Sequence, residues 1–247
     1  MYKANPRILV EGTFEAGDTG TFNYSHERAA EGVGHLSAVW RRSNSHMAEA
    51  IVSYRDIIKQ LRNRRVSFVL TGMYGIAGWL GRSRATHDVD LLVRGGRNYA
   101  RAVSALKSLY PQLEARTRGG LTRFYAPGED EPLIDVVYPF RADQEETLTT
   151  SVWTEEKGLR YRIPRLEAAL ANKYGAALSV TRSPSKRIRD LADFFDMVRH
   201  SMDKGRKPID LALLESLGEK VWPGGGGAEI LRMVEEAKSG KVPRLEA

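Results

Sequence analysis

Thr71-Gly72-Met73, followed by Arg82-Ser83-Arg84-Ala85-Thr86-His87-Asp88-Val89-Asp90-Leu91-Leu92-Val93, is the stretch that decides what this chain builds. Side chains at i and i+2 of a strand share a face. Asp88 and Asp90 therefore project together, while Val89 and Leu91 turn to the opposite, buried face. Two carboxylates held close repel each other unless a cation lies between them. Magnesium suits such a pair, because it binds through one or two carboxylates and completes its octahedron with waters and substrate phosphates. Gly72 stands where an apolar strand, Val66 to Thr71, gives way to a short helix over Tyr74 to Leu80. Backbone N–H groups and the helix dipole favour phosphate at such a junction, and the missing Cβ permits close approach.

A third acid, Asp135, interrupts the apolar strand Leu133-Ile134-Asp135-Val136-Val137. An ionised carboxylate is costly to bury there without a partner. A metal shared with Asp88 and Asp90 supplies that partner; an Arg or a backbone donor is the plainer alternative. Singly, these features read as a solvated strand edge, a paired strand acid and a turn. Their order carries the specificity: strand, Gly, short helix, Asp-x-Asp strand, third strand Asp.

The block resembles the nucleotidyltransferases of the DNA polymerase β-like superfamily. Their signature is an apolar residue, Gly, then Gly or Ser, a short helix, and Asp-apolar-Asp. The run Arg84-x-Thr86-x-Asp88-Val89-Asp90-Leu91-Leu92 looks like the minimal bacterial branch that includes the AbiEii/AbiGii toxin-type proteins. The resemblance implies a five-stranded mixed sheet with flanking helices, two Mg2+ ions and a nucleoside triphosphate (NTP) donor. Asp88, Asp90 and Asp135 match the family's three metal-binding catalytic carboxylates. Gly72, Met73, Arg84 and Lys173 fall where donor phosphates are held. Met73 departs from the pattern, since a Ser hydroxyl donates to phosphate and Met does not. The likeness covers about Val66 to Tyr138. It extends loosely to Leu166-Glu167-Ala168-Ala169-Leu170-Ala171-Asn172-Lys173 and Arg189-Asp190-Leu191-Ala192-Asp193, which look like the family's helical lysine and aspartate motifs.

The expected fold class is α+β: a nucleotidyltransferase fold over 47–160, a mixed sheet with flanking helices, followed by a helical domain over 161–247. Residues 1–46 read as an extension, either mobile or a hairpin arm from Ile8–Phe14 and Thr21–Tyr24. Apolar periodicity predicts a helix from Ala48 to Arg64. A strand over Asp88–Val93 and a helix over Tyr99–Leu109 follow. A strand lies near Leu113, and Leu121–Ala126 pairs with Leu133–Tyr138 across the turn Pro127-Gly128-Glu129-Asp130. Leu166, Leu170, Tyr174, Ala177 and Leu178 mark one amphipathic helix. Ile188, Leu191, Phe194, Phe195 and Val198 mark a second. Further helices cover Leu211–Leu217 and Glu229–Lys238, with Trp222-Pro223 and Gly224 to Gly227 between them.

Composition narrows the function classes. The 247 residues contain no Cys, which removes disulfides, thiolate metal sites and cysteine nucleophiles together. None of the five His forms an HExxH pair. The longest uncharged stretch, Val66 to Gly81, is 16 residues with four Gly, whereas a membrane span needs roughly 20 apolar ones. Near the start, Glu11 interrupts Ile8-Leu9-Val10, so no signal-peptide core is expected. A cytoplasmic protein without membrane partners fits these features.

The 38 Lys and Arg against 31 Asp and Glu give a net charge of +7, which favours a polyanionic partner. Arg182, Lys186, Arg187 and Arg189 lie beside the helices expected to wall the cleft.

By resemblance, the expected activity is transfer of a nucleoside monophosphate from an NTP to an acceptor hydroxyl. An RNA such as tRNA is the favoured acceptor, with a cognate antitoxin and a homodimer formed through the N-terminal arm as further expected partners. The rival reading is a catalytically lapsed nucleotide- or RNA-binding module. Two readings also stand for Asp190 and Asp193. They pair with Lys186, Arg187 or Arg189, or they serve the site.

Overall fold

The computed structural model describes residues 52–81, 86 and 88–241. The proposed N-terminal hairpin, Arg82, Arg84 and His87 lie outside them. Eight helices and seven strands follow in order among the described residues. These are α1 (Tyr54–Asn63), β1 (Val69–Leu70), α2 (Gly72–Leu80), β2 (Val89–Leu92), α3 (Gly96–Leu109), β3 (Glu114–Arg118), β4 (Leu121–Tyr125) and β5 (Pro132–Val137). Then come α4 (Ala142–Thr150), β6 (Val152–Glu156), β7 (Leu159–Ile163), α5 (Leu166–Leu178), α6 (Pro184–Ser201), α7 (Leu211–Val221) and α8 (Gly226–Lys238).

Five strands form one mixed sheet in the order β1-β2-β5-β4-β3. Only β2 and β5 run parallel; the other neighbours are antiparallel. This is the five-stranded mixed sheet with flanking helices that the resemblance implies. Val89, Leu91, Ile134 and Val136 are buried on one face of it, where the apolar stripes of α1 and α3 contribute Ile57, Leu61, Ala102 and Leu106 to the same core. On the other face Val69, Leu92 and Val137 pack with Leu148 of α4. By strand alternation, Asp90 and Asp135 share that second face with Leu92 and Val137, two residues further back along their strands.

The expected strand Val66–Thr71 is reduced to Val69–Leu70, because Gly72 at φ +58° turns the chain directly into α2. That helix begins two residues before Tyr74. Between 142 and 163 the sequence predicts no element, yet α4 and the hairpin β6–β7 lie there. Helix α4 is largely polar and buries Asp143, Thr147 and Leu148, so its apolar period is weak. Strand β7 crosses residue 160, where the sequence places a domain boundary.

Helices α5 to α8 pack on one another, with α4 against α5 and α7, and α2 against α5 and α6. One apolar cluster runs from Val52 through the sheet to Ala237 in α8. Ile188 departs from its expected place on the buried stripe of α6 and is 48% exposed. The four-glycine tract has a local reason: the N–H groups of Gly225 and Gly227 donate to Glu219 Oε2 at 3.3 and 3.2 Å, and that of Gly224 donates to Oε1. The carboxylate thereby caps α8. No helix among the described residues is long and apolar enough to cross a membrane.

Candidate active site

The parallel pairing of β2 with β5 sets Asp90 directly beside Asp135 as Cα partners. Both acids lie on the stretch of the sheet face behind the patch where Leu148 packs. Asp88 sits one residue before β2, and its Oδ1 accepts a hydrogen bond from Thr86 Oγ1 at 2.6 Å. Val89 and Leu91 are buried on the opposite face, 2% and 0% exposed, as the alternation requires.

Mutual repulsion shows in the acid–base balance of the group. Burial pushes the Asp90 pKa well above the usual carboxylate range, and the charges of Asp88 and Asp135 push it further. Lys173 and Arg182 oppose that rise. Asp135 is raised to about 6, chiefly by burial and also by Asp88, while Arg123 and Arg182 pull it down.

Gly72 closes the site from the strand–helix junction. A Cβ there would overlap Asp90 Oδ2. The Thr71 N–H donates to Asp90 O at 2.9 Å, which fastens the junction to β2. The Gly75 N–H is the one that reaches back to Thr71 O, at 3.0 Å, so the amides of residues 72–74 precede the first α-helical bond of α2. The Thr71 side chain does not cap them. Met73 is buried in the core, 4% exposed. Its side chain belongs to the apolar core cluster, and a thioether gives a phosphate no hydrogen-bond donor, so what Met73 offers one is its backbone N–H.

Lys173 is largely buried and paired rather than solvated. Its Nζ lies 2.8 Å from Asp190 Oδ1 and 2.7 Å from Asp193 Oδ2, with the side chain 13% exposed. Arg182 Nε adds a contact to Asp190 Oδ2 at 3.1 Å. Asp190 and Asp193 thus bind Lys173 and Arg182 rather than the expected Lys186, Arg187 or Arg189. Arg187 has a structural task of its own: its Nε donates to Ala177 O at 2.6 Å near the end of α5. An ammonium carries three donors, so two carboxylates leave Lys173 one for another acceptor.

Sequence reasoning missed Arg123. It is the Cα partner of Asp135 across β4–β5, and its Nε stands 3.4 Å from Asp135 Oδ2. Asp135 Oδ1 is buried and has no hydrogen-bond partner among the described residues. Among the described residues no group of three or more His, Asp or Glu side chains is gathered closely enough to hold a metal ion as it stands. The donors still suit a hard cation, being carboxylate oxygens of an electrostatically strained group with one orphaned atom. Asp88 and Asp90 fit as its first ligands, and Asp135 as a third once it turns from Arg123.

No protein-family profile and no curated protein matches the chain. Several solved structures are similar to it. An antigenic nucleotidyltransferase-like protein from Paracoccidioides brasiliensis is 16% identical, with 81% of this chain and 93% of that one covered and a TM-score of 0.45. JHP933 from Helicobacter pylori is 16% identical, covering 75% of this chain and 89% of its own, at a TM-score of 0.40. Terminal uridylyl transferase 4 from Trypanosoma brucei, solved with bound dUTP, is 11% identical, with 85% and 73% covered and a TM-score of 0.32.

Proposed function

We propose that the protein is a nucleotidyltransferase that moves a nucleoside monophosphate from an NTP to an acceptor hydroxyl, releasing pyrophosphate. One observation carries the reading: Asp90 and Asp135 stand side by side on two parallel strands, with Asp88 just before the first, against a glycine that leaves no room for a side chain. Burial, joined by the neighbouring carboxylate charges, raises the pKa of Asp90 and of Asp135, which is the pattern expected of a functional site.

Asp88 and Asp90 would hold divalent cations, with Asp135 completing the acceptor side. Two bound Mg2+ ions would supply charge stabilisation at the attacking and leaving oxygens. The chain's own groups do the rest. The N–H groups at the start of α2 receive donor phosphate in place of the Ser hydroxyl that Met73 lacks. The remaining Lys173 donor, held by Asp190 and Asp193, faces the same charge, and Arg84 is proposed to join it. Thr86 fixes the Asp88 carboxylate through its hydroxyl. Asp135 would accept the acceptor's proton. The toxin-type branch, with a cognate antitoxin, is the finer assignment that the Arg84-x-Thr86-x-Asp88 motif supports.

For the acceptor we favour RNA, because basic side chains of α6 flank the cluster around Lys173. The test offers each α-labelled NTP with magnesium and total cellular RNA or lysate, then digests the product with ribonuclease or protease. Label in ribonuclease-sensitive material is the expected result. Label released only by protease would move the acceptor to protein, and label in neither would remove both.

A further inference from the structure

We propose that Arg123 is a resident counter-ion of Asp135, which a divalent cation must displace before the three acids close around it. The inference rests on the metal site proposed above. Four residues stand in one row across the sheet: Asp90 on β2, Asp135 on β5, Arg123 on β4 and Arg116 on β3, each the Cα partner of the next. Charge along that row changes sign between Asp135 and Arg123. The Asp135 carboxylate is therefore divided. Its Oδ2 faces the guanidinium at 3.4 Å, and its buried Oδ1 has no hydrogen-bond partner among the described residues.

This division explains why acids placed side by side do not form a ready-made metal cage. Arg123 already supplies the positive charge that Asp135 needs. The pair is built to release. At 3.4 Å it is longer than a tight charge-assisted hydrogen bond, and the Arg123 side chain is 46% exposed. So loose a pair holds Asp135 less firmly than a tight one would, whereas a divalent cation brings twice the charge. Arg116 does not compete for Asp135: it pairs with Glu114 at 3.0 Å and lies over the Tyr125 ring, 4.4 Å from its centroid. Arg123 thus offsets part of the Asp135 charge without metal and weakens cation binding by its presence.

The test follows free Mn2+ by its solution paramagnetic resonance signal while the full-length protein is titrated in, at fixed pH and without nucleotide. Arg123→Ala should bind Mn2+ about tenfold more tightly than the wild type, the scale of one unit charge near a protein surface. Arg123→Lys should stay close to the wild type, and Arg116→Ala should leave affinity unchanged. In an Asp135→Asn background, Arg123→Ala should tighten binding clearly less than in the wild type, an outcome that a general change in folding would not produce. Equal or weaker binding by Arg123→Ala, with binding still lost in Asp90→Asn, overturns the counter-ion role and leaves the metal site standing. Absence of Mn2+ binding in the wild type and in Arg123→Ala alike overturns the metal site itself, and this inference with it.

Discussion

Gly72 and Asp90 are fitted to each other: the glycine's left-handed backbone, φ +58°, brings its Cα to a place where any Cβ would run into the Asp90 carboxylate. Gly72→Ala should therefore do double harm. The conformation alone costs roughly 1–2 kcal/mol for a non-glycine residue, and the methyl group must also push Asp90 aside. Thermal unfolding should show the first loss. Mn2+ affinity should fall with it, and a variant that unfolds earlier yet binds the ion as the wild type does would show that Asp90 is not held by this contact.

Asp135 ties the site to pH. Its folded pKa of about 6 lies above the ordinary aspartate value of about 3.9, so between those values the folded chain holds more protons than the unfolded one. Its contribution is thus fully present below about pH 4 and is lost as pH rises through about 6. Asp135→Asn should make the metal-free protein more stable than the wild type by about 1–3 kcal/mol above pH 6.5, with the gap closing towards pH 4. Denaturant unfolding at several pH values measures it. Asp90, raised by burial and two neighbouring acids, has the same sign, so Asp90→Asn should also stabilise the metal-free fold.

The acids were legible because strand alternation and motif order need only local sequence. Val89 and Leu91 could be assigned to the core and Asp88 and Asp90 to the open face without knowing any partner. Arg123 was not legible for a definite reason. The β4–β5 ladder shifts register between Phe124 and Tyr125, so Tyr125 faces Pro132 while Phe124 faces Ile134. Counting inward from the turn without that irregularity sets Arg123 opposite Ile134, on the wrong face. A one-residue slip moves every side chain to the other side of the sheet. The partners of Asp190 and Asp193 failed differently: neighbours on the same helix are visible in sequence, whereas Lys173 and Arg182 come from α5 and the turn after it.

Lys173 joins stability to function. Lys173→Met leaves Asp193 and Asp190, 1% and 4% exposed, without its ammonium, and breaking a buried pair from one side costs about 3–5 kcal/mol. Arg182 still reaches Asp190, so the lower end is expected. Lys173→Arg should recover much of this stability. Triphosphate affinity, followed by fluorescence of a labelled nucleotide, should recover less, because the longer fork cannot return the ammonium to the same place.

RNA binding should separate the basic residues of α6. Lys186→Glu with Arg189→Glu should weaken RNA binding and flatten its salt dependence, which scales at about −0.7 per phosphate contact for single strands. Arg187→Glu is expected to cost stability instead, since Arg187 Nε donates to the Ala177 carbonyl. Filter binding across a salt series, beside thermal unfolding, checks both outcomes. Unchanged slopes in the Lys186 and Arg189 variant would remove α6 from the acceptor surface.

The most direct test of the central claim is transfer of label from an α-labelled NTP by the wild type and by Asp90→Asn under identical conditions with magnesium. Wild-type protein should transfer label and release pyrophosphate in equal amounts. Asp90→Asn should remain folded, unfold at a higher temperature without metal, and lose transfer by several orders of magnitude. Near-normal transfer by Asp90→Asn would contradict the account.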